Sequence, residues 1–357
     1  MKKLLHVIDF LGIGGAEKLV VSVINGLEGA YEQHLVVLSE PAPLLKEIPS
    51  SCKTTVLNFR SYRDLWTTRG FLRRYIMTHH IDIVHSQLYW SNIITRLATP
   101  RKVKVFNSIQ AISSEASYKI SRLSLYLEKL TYKKKHHIIG VSREVLKDFD
   151  KWVGLKGPSS VLYNMIDEKF FVLQPKTNFT PGGLRMVAVG NLRWQKNYPY
   201  LLEAFKLMPA GISVNIYGEG DLRQVLQQTI NTHQLPVRLL GHHQQLEKIL
   251  PEYDVFVMCS LYEGFSLGLM EAMACGLPPV LTNVPVLKEA AGEHAIYVDI
   301  HDPADLSRKM AYYLGHKEEL ATIASGAHQQ ALAMAKKENH LQKLISLYEA
   351  ADLVRTI

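Results

Sequence analysis

Short apolar, β-rich runs alternate with amphipathic helical stretches along this chain, stop, and then begin again. In the first half these runs lie at 4–10, 34–39, 54–59, 82–86, 102–109, 136–142 and 159–167. In the second half they lie at 184–190, 212–218, 237–241, 254–260, 278–283 and 295–299. Alternating strands and helices predict parallel sheets with helices on both faces. The sequence therefore predicts an α/β protein with two Rossmann-like domains.

A chain of 357 residues is also too long for one typical core. We predict an N-terminal domain over 1–168, a linker over 169–183 that carries two prolines and two glycines, and a second domain over 184–334. A last helix over 335–357 is expected to return across both domains. Open α/β sheets bind ligands at the C-terminal ends of their strands, so two facing sheets predict a central cleft.

The cysteines and the N-terminus indicate a cytoplasmic protein. The three cysteines lack a CxxC spacing, which argues for a reducing compartment and against a disulfide framework. The start MKKLLHVIDF has the lysines of a signal peptide, but His6 and Asp9 interrupt its apolar part, so we interpret it as a first strand. No apolar run is long enough to span a membrane.

The formal charge of +8 is uneven, with about +11 in residues 1–165 and about −3 in the rest. An anionic membrane or a phosphorylated ligand suits such a basic half. The chain has no zinc-finger or RNA-recognition pattern, so we expect no nucleic-acid partner. The segment 115–137 is predicted equally well to be an interfacial helix or a helix packed on the sheet. For the segment 64–77, packing on the sheet is favoured.

In the stretch YEGFSLGLME, Glu263 and Glu271 bracket seven residues of which only Ser266 is polar. Burying a carboxylate is costly without a partner, so these residues either lie at a rim or await a ligand. A helix that starts near Ser266 would leave its first backbone N–H groups free to bind an anion. Carboxylates also bind vicinal hydroxyls, so the stretch predicts a ligand with both groups. The alternative is a loop charge and a surface helix charge.

A basic loop, VGNLRWQKN at 189–197, lies between a predicted strand and a helix that begins near Tyr198. Arg193 and Lys196 are two cations beside a helix N-terminus, which suits a diphosphate. A solvated basic loop is the alternative.

The stretch DFLGIGGAEK at 9–18 has Gly12 and Gly14 at the spacing of a dinucleotide-binding fingerprint. Glu17 occupies the third glycine position, where its charge would oppose a pyrophosphate. We therefore interpret Gly14 and Gly15 as a tight loop that permits close backbone approach, and we expect no NAD and no other cofactor.

Together these motifs resemble those of the family-4 glycosyltransferases, retaining enzymes with the two-Rossmann-domain GT-B fold, over nearly the whole length. GGAEK resembles the N-terminal glycine loop of that family. LYNMID at 162–167 resembles its domain-linker motif, with Met165 where glycine is usual, and YGEGDLR at 217–223 resembles its GxG-plus-acid loop. EGFSLGLME fits the family signature of two glutamates separated by seven residues, the most specific of the set.

The resemblance implies roles for individual residues. Glu263 is expected to contact the donor sugar near the reacting carbon, with Lys196 and Arg193 as the further catalytic residues, and Glu271 to hold the nucleotide ribose. The implied donor-binding residues are Gly14, Gly15, Gly190, Asn191, Gly218, Gly241, His242, Gly264, Phe265, Ser266, Leu267 and Glu271. The implied acceptor-side residues are Ala16, His85 and Gln110.

Two positions depart from the family pattern. Asn191 stands where an arginine usually binds the donor diphosphate, and Arg193 is expected to supply that charge. Gln110 stands where the family often has histidine, and glutamine cannot titrate. A histidine is dispensable if the leaving phosphate takes the acceptor proton. His85, at a strand end, suits either the acceptor side or a core or rim position.

Metal sites are not indicated. Asp148 and Asp150 spell the Asp-x-Asp motif of the other large glycosyltransferase fold, but residues two apart on a helix face different sides. The His pairs 79–80, 136–137 and 242–243 are adjacent in sequence, which suits no helical metal site. We therefore expect no essential metal.

The resemblance implies a retaining hexosyltransferase at the inner face of the membrane. Its donor would be a nucleotide diphosphate sugar, most simply a UDP-sugar, and its acceptor a lipid-linked glycan or polysaccharide. Two alternatives stay open: a nucleotide-sugar epimerase on the same fold, and a relative that binds glycan or nucleotide without turnover.

Overall fold

Parallel strands build two separate sheets, each in its own structural unit. The computed structural model describes residues 1–112, 122–171 and 174–353. The first unit comprises Met1–Asn164 together with the chain from Lys337, and the second comprises Met165–Lys336. Each unit is an α/β domain, which confirms the predicted fold class.

The first unit holds a seven-stranded parallel sheet in the order β3-β2-β1-β4-β5-β6-β7. Its strands are β1 Lys3–Ile8, β2 Glu32–Val37, β3 Lys53–Val56, β4 Ile83–Gln87, β5 Lys104–Ile109, β6 His136–Gly140 and β7 Ser159–Val161. Its first five helices are α1 Gly15–Gly26, α2 Leu65–Thr78, α3 Tyr89–Ala98, α4 Arg122–Thr131 and α5 Arg143–Trp152. The signal-like N-terminus is thus a buried strand, as predicted.

The second unit holds a six-stranded parallel sheet in the order β10-β9-β8-β11-β12-β13. Its strands are β8 Leu184–Val189, β9 Ile212–Tyr217, β10 Val237–Gly241, β11 Val255–Met258, β12 Pro279–Thr282 and β13 Ile296–Val298. Its helices are α6 Tyr198–Phe205, α7 Arg223–Thr232, α8 Leu246–Ile249, α9 Leu267–Ala274, α10 Pro285–Ala291, α11 Pro303–Gly315 and α12 Lys317–Ala335. Every predicted β-rich run contains a strand.

The division between the units differs from the predicted boundaries. The first unit ends at Asn164 rather than 168, and the predicted linker over 169–183 belongs to the second unit. The final helix is α13, Lys337–Leu353, and it belongs to the first unit alone. An extended backbone at Lys336 separates α13 from α12, so the final helix begins two residues later than predicted, and residues 354–357 lie outside the described residues.

A row of rings on the first sheet, buried except for the partly buried His137, holds α13 in place. His6, His85, Phe106 and His137 are direct register partners across β1, β4, β5 and β6. The ring of Tyr348, on α13, meets His85 and Phe106 edge-on, and its Oη lies 2.6 Å from His85 Nδ1. The core of the first unit therefore contains titratable rings, which burial keeps neutral at pH 7.

We expect the free energy of unfolding of the first unit to fall as the pH drops from about 6.5 towards 4. Burial lowers the pKa of both His6 and His137 to about 4, from an ordinary value of 6.5. The unfolded chain then binds protons that the folded unit excludes, so stability is complete only above the unfolded pKa. Each histidine should remove up to about 2 kcal/mol between pH 7 and 5.

Urea unfolding at pH 7 and pH 5, followed by tryptophan fluorescence, measures this loss. His137→Gln should weaken the pH dependence, because glutamine cannot titrate yet still hydrogen-bonds to Ser160. His80→Asn is the matched control, since His80 is exposed and has a left-handed backbone that asparagine tolerates. Equal pH dependence in both variants would exclude the buried row as the cause.

Candidate active site

The loop after β8 folds back on itself and brings Lys196 over Gly190. A 3-10 turn spans Trp194–Lys196, and Asn197 then takes a left-handed conformation to start α6. Gly190 has φ +156°, and a Cβ there would lie only 2.9 Å from Lys196 Cε. The loop thus requires glycine at 190 and places a lysine beside the end of β8.

The loop after β11 carries the first glutamate, as predicted. Ser266 is the N-cap of α9, where its Oγ accepts a hydrogen bond from Leu269 N at 3.3 Å. Glu263 lies in the preceding loop and is 6% exposed, so its carboxylate is buried before any ligand binds. Glu271 lies on α9, one turn into the helix, and is partly buried.

Lys196 and Glu263 form an ion pair with each other. Lys196 Nζ donates to Glu263 Oε1 at 2.7 Å, and Ser260 Oγ donates to the same oxygen at 2.7 Å. Gln195 Nε2 donates to Tyr262 O at 2.9 Å, which ties the two loops together. The carboxylate of Glu263 can lie in this apolar stretch because it has a cation and a hydroxyl as partners.

The pair lies at the topological switch point of the second sheet. The strands β8 and β11 are neighbours, and the strand order reverses direction between them. In open α/β sheets this is where ligands bind, beyond the carboxyl ends of the strands. Both glutamates and Lys196 are therefore in the position of a ligand site within this unit.

The two glycines of YGEGDLR pack against the β8 loop rather than leaving space. A Cβ at Gly218 would collide with the carbonyl oxygen of Gly190, and one at Gly220 would lie 2.6 Å from Leu192 O. Gly218 N donates to Gly241 O at 2.8 Å, so the ends of β8, β9 and β10 meet through main chain alone. The glycines thus have a packing reason that the motif did not reveal, and the donor-binding role of Gly218 and Gly241 stays a prediction.

The other predicted donor residues fall into two groups. Gly264, Phe265, Ser266 and Leu267 lie where β11 leads into α9, beside Glu263. By contrast, Asn191, Arg193 and His242 are exposed side chains on the loops after β8 and β10.

In the first unit, Gly14 caps α1 and is followed by Gly15 and Ala16 in its first turn. The carboxylate of Glu17 folds over Gly14, where a Cβ would collide with it. Burial raises the pKa of Glu17. Gly15 is thus helical rather than part of a tight loop, and Glu17 fills space beside Gly14 that the sequence left for a ligand.

Gln110 belongs to a chain of amide side chains. Its Nε2 donates to Gln87 Oε1 at 2.9 Å, and its Oε1 accepts from Asn164 Nδ2 at 3.2 Å. Gln87 ends β4 and Asn164 belongs to the LYNMID motif. Sequence reasoning missed both partners, because nothing local marks residues 23 and 54 positions away as neighbours.

His85 is a core residue, and its predicted place on the acceptor side is wrong. It is 3% exposed, and its ring nitrogens lie 2.6 Å from Tyr348 Oη and 2.8 Å from Ser108 Oγ. Burial keeps the pKa of His85 well below its ordinary value. Both nitrogens are occupied, so the side chain has no free position for a substrate.

Asp9 is a further polar residue that the sequence did not single out. It follows β1 at the switch point of the first sheet, where β1 and β4 are neighbours. Its carboxylate accepts hydrogen bonds from Trp90 N, Ser91 N and Ser91 Oγ at the start of α3. Burial raises the pKa of Asp9 to about 6.

Asp148 and Asp150 lie on α5, as expected for a helix. Among residues 1–112, 122–171 and 174–353, no group of three or more His, Cys, Asp or Glu side chains is arranged to hold a metal ion. Within the same ranges, no helix is both long and apolar enough to cross a membrane.

Comparisons with solved structures identify the fold. The Anabaena HepE protein, solved in complex with UDP, superposes with a TM-score of 0.84 at 16% identity, covering 98% of this chain and all of that one. Sucrose-phosphate synthase from Thermosynechococcus elongatus gives 0.83 at 17% identity, covering 99% of this chain and all of that one. The chain thus has the two-domain GT-B fold.

Family matches and curated relatives agree with the fold. Residues 13–170 match Glycosyltransferase Family 4, and residues 183–316 match Glycosyl transferases group 1. Both halves of the chain thus match glycosyltransferase models, and the chain is of the GT-B, family-4 type.

A Campylobacter jejuni relative is 24% identical over 308 residues, which cover 79% of this chain and 81% of that one. It is the N-acetylgalactosamine-N,N'-diacetylbacillosaminyl-diphospho-undecaprenol 4-alpha-N-acetylgalactosaminyltransferase. An Escherichia coli relative, UDP-Gal:alpha-D-GlcNAc-diphosphoundecaprenol alpha-1,3-galactosyltransferase, is 37% identical over 105 residues that cover 27% of each chain.

We expect Lys196→Met to lower the free energy of unfolding of the second unit by about 3 kcal/mol, because it leaves a buried carboxylate without its cation. The double variant Lys196→Met/Glu263→Gln should recover most of this loss. Lys206→Met is the matched control, since the Lys206–Glu203 pair is exposed and contributes under about 1 kcal/mol. Urea unfolding measures all three, and a double variant no more stable than Lys196→Met would contradict the coupling.

Proposed function

We propose that this protein is a retaining hexosyltransferase that uses a nucleotide diphosphate sugar, with UDP as the expected nucleotide, and a lipid-linked or polysaccharide acceptor. The Lys196–Glu263 pair at the switch point of the second sheet is the observation that carries the proposal. The names of the Campylobacter and Escherichia relatives, both transferases acting on diphospho-undecaprenol-linked sugars, support the acceptor class. The UDP complex of HepE supports the nucleotide.

Lys196 stabilises the leaving diphosphate. As the bond between the anomeric carbon and the diphosphate oxygen breaks, negative charge builds on that oxygen. The ammonium group of Lys196, 2.7 Å from Glu263 before donor binds, transfers its hydrogen bond to the diphosphate. The backbone N–H groups from Gly264 to Leu267, which lead into α9, bind the same charge. Arg193 takes the place of the arginine that Asn191 replaces.

Glu263 then faces the sugar. Once Lys196 turns to the diphosphate, the carboxylate keeps the Ser260 hydroxyl as a partner and stabilises the positive charge that develops at the anomeric carbon. The acceptor hydroxyl attacks from the side that the diphosphate leaves, which retains the configuration. Its proton passes to the departing diphosphate, so the reaction needs no titrating side chain at Gln110 and no metal.

The remaining residues complete the assignment. Glu271 binds the ribose hydroxyls, while Ala16 and Gln110 lie on the acceptor side in the first unit. We place the enzyme in the cytoplasm at the inner face of the membrane, where lipid-linked acceptors are exposed. Measuring UDP release with and without an acceptor separates this function from the two alternatives. An epimerase converts the nucleotide sugar without an acceptor, and a non-catalytic relative releases no UDP.

We expect Glu271→Ala to weaken UDP binding by about 1.5–3 kcal/mol, the range for hydrogen bonds to a charged group. Isothermal titration calorimetry on the folded variant measures the change. Glu293→Ala, which removes an exposed carboxylate from the same unit, is the control. Unchanged UDP affinity in Glu271→Ala would remove the ribose-binding role.

We expect Lys196→Ala to lower kcat far more than it raises KM for the donor, because its charge matters most as the phosphate leaves. Arg193→Ala should lower kcat as well, although its exposed side chain predicts a smaller loss. Steady-state kinetics of both variants measure the difference, with the exposed Lys248→Ala as the control. If Arg193→Ala keeps the wild-type kcat, Arg193 does not replace the arginine missing at position 191, and Lys196 acts with backbone donors alone.

A further inference from the structure

Two helices that pack on α3 expose large apolar side chains. On α4, Leu123, Tyr126 and Leu130 are 58–61% exposed, at the three- and four-residue spacing that places them on one helix face. On α2, Trp66 and Met77 are 66% and 57% exposed, eleven residues apart and so close to three helical turns. Both helices contact α3.

This exposure does not reflect a loosely held helix. The opposite face of α4 is fixed by Glu128, which is 7% exposed and forms an ion pair with the buried Arg96 of α3. Arg96 Nε also donates to Asn107 Oδ1 of β5 at 2.8 Å. Leu127 packs against the core of the unit. Because its inner face is anchored by charge and by packing, α4 must present its apolar outer face to the surroundings.

Cations surround these apolar side chains. Lys129, Lys133, Lys134 and Lys135 are exposed, and none of the four forms an ion pair with a carboxylate of the described residues. On α2, Arg69 and Arg73 donate to the last carbonyl groups of α3.

Cations from separate segments come close together here. Partial burial, followed by the nearby charges of Lys133, Arg101 and Arg73, lowers the pKa of Lys135. Like charges gathered in this way destabilise the free protein unless an anionic partner neutralises them.

We propose that this α2–α4 surface, comprising Trp66, Met77, Leu123, Tyr126, Leu130, Arg69, Arg73, Lys129 and Lys133–Lys135, docks on an anionic lipid bilayer. Apolar and aromatic side chains flanked by lysines are the composition of interfacial helices. A polyanion such as RNA would use the cations but would leave Leu123, Leu130 and Met77 in water. The inference rests on the proposed function, because a lipid-linked acceptor requires the enzyme to reach a membrane.

The segment 64–77, for which packing was favoured, thus has two faces. Leu65, Thr68, Leu72 and Ile76 are buried, while Trp66 and Met77 point outward. The part of the segment 115–137 before Arg122 lies outside the described residues, and the docking surface does not include it.

Co-sedimentation with vesicles of phosphatidylglycerol and phosphatidylcholine tests the proposal. Each lysine near an anionic leaflet contributes about fivefold to the partition constant. Wild-type protein should therefore bind anionic vesicles at least about 100-fold more tightly than pure phosphatidylcholine vesicles. High salt should remove most of this preference, because it screens exposed charges.

Two variants separate the charges from the apolar face. Lys129, Lys133 and Lys134 changed together to Glu should lower binding to anionic vesicles about 100-fold or more. Leu123→Ser/Leu130→Ser should lower it by about tenfold or more and leave residual binding that depends on salt.

Each variant has a matched control elsewhere on the chain. Lys46, Lys248 and Lys336 changed to Glu is the charge control, since both triple variants take the formal charge from +8 to +2. Leu207→Ser/Val225→Ser removes two side chains of similar exposure, 58% and 59%, from the second unit. Both controls should bind anionic vesicles as wild type does.

Three results would overturn the proposal. One is wild-type protein that stays in the supernatant at low salt. Another is equal loss of binding in each variant and its control. The third is tight binding to single-stranded RNA that the charge variant abolishes and Leu123→Ser/Leu130→Ser leaves unchanged, which would assign the surface to nucleic acid.

Failure of the proposed function would look different. Calorimetry with UDP, and transfer to a short water-soluble acceptor, report on the second-unit site without vesicles. Vesicle binding together with no UDP binding would leave the docking surface standing and remove the nucleotide-sugar chemistry. Normal transfer to the soluble acceptor without vesicle binding would support the nucleotide-sugar chemistry and exclude the docking surface.

Discussion

The ion pair between Lys196 and Glu263 is the interaction on which the candidate site depends. A carboxylate that is 6% exposed needs a cation and a hydroxyl close by, and Lys196 and Ser260 supply them at 2.7 Å each. The two groups therefore satisfy each other. In the proposed mechanism a diphosphate releases Glu263 towards the sugar by taking over Lys196, which would couple donor binding to the arrangement of the reacting groups.

The backbone of the second unit is built to hold this pair at the switch point. Gly190 has φ +156°, a conformation that strains other residues, and Gly218 must lack a side chain because the carbonyl of Gly190 occupies that space. The ends of β8, β9 and β10 thus meet through main chain, with little freedom for the loop that carries Lys196. In the first unit, side chains rather than main chain connect the elements. Tyr348 joins α13 to the sheet, and Gln110 joins Gln87 to Asn164.

Periodic apolar patterns made the two sheets, the strand after Met1 and the cap at Ser266 predictable, because those features depend on neighbours a few residues away. Pairing between distant residues was not predictable in the same way. Lys196 and Glu263 were each assigned to a ligand, and their contact with each other emerged only when β8 and β11 became neighbours. His85 ends a strand in the sequence, but Tyr348, 263 positions later, makes it a core residue. For α2, the sequence favours packing over an exposed apolar face because the inner face of the helix carries an ordinary core pattern.

Calorimetry with matched nucleoside diphosphates and monophosphates, on wild-type protein and on Lys196→Met, tests the central claim most directly. If Lys196 exchanges Glu263 for the donor diphosphate, the preferred diphosphate should bind wild type at least about tenfold more tightly than its monophosphate, as expected for a charge-assisted hydrogen bond. That preference should largely disappear in Lys196→Met. An unchanged preference for the diphosphate in a folded Lys196→Met variant would contradict the account. It would mean that Lys196 of the wild type does not leave Glu263 to bind the diphosphate.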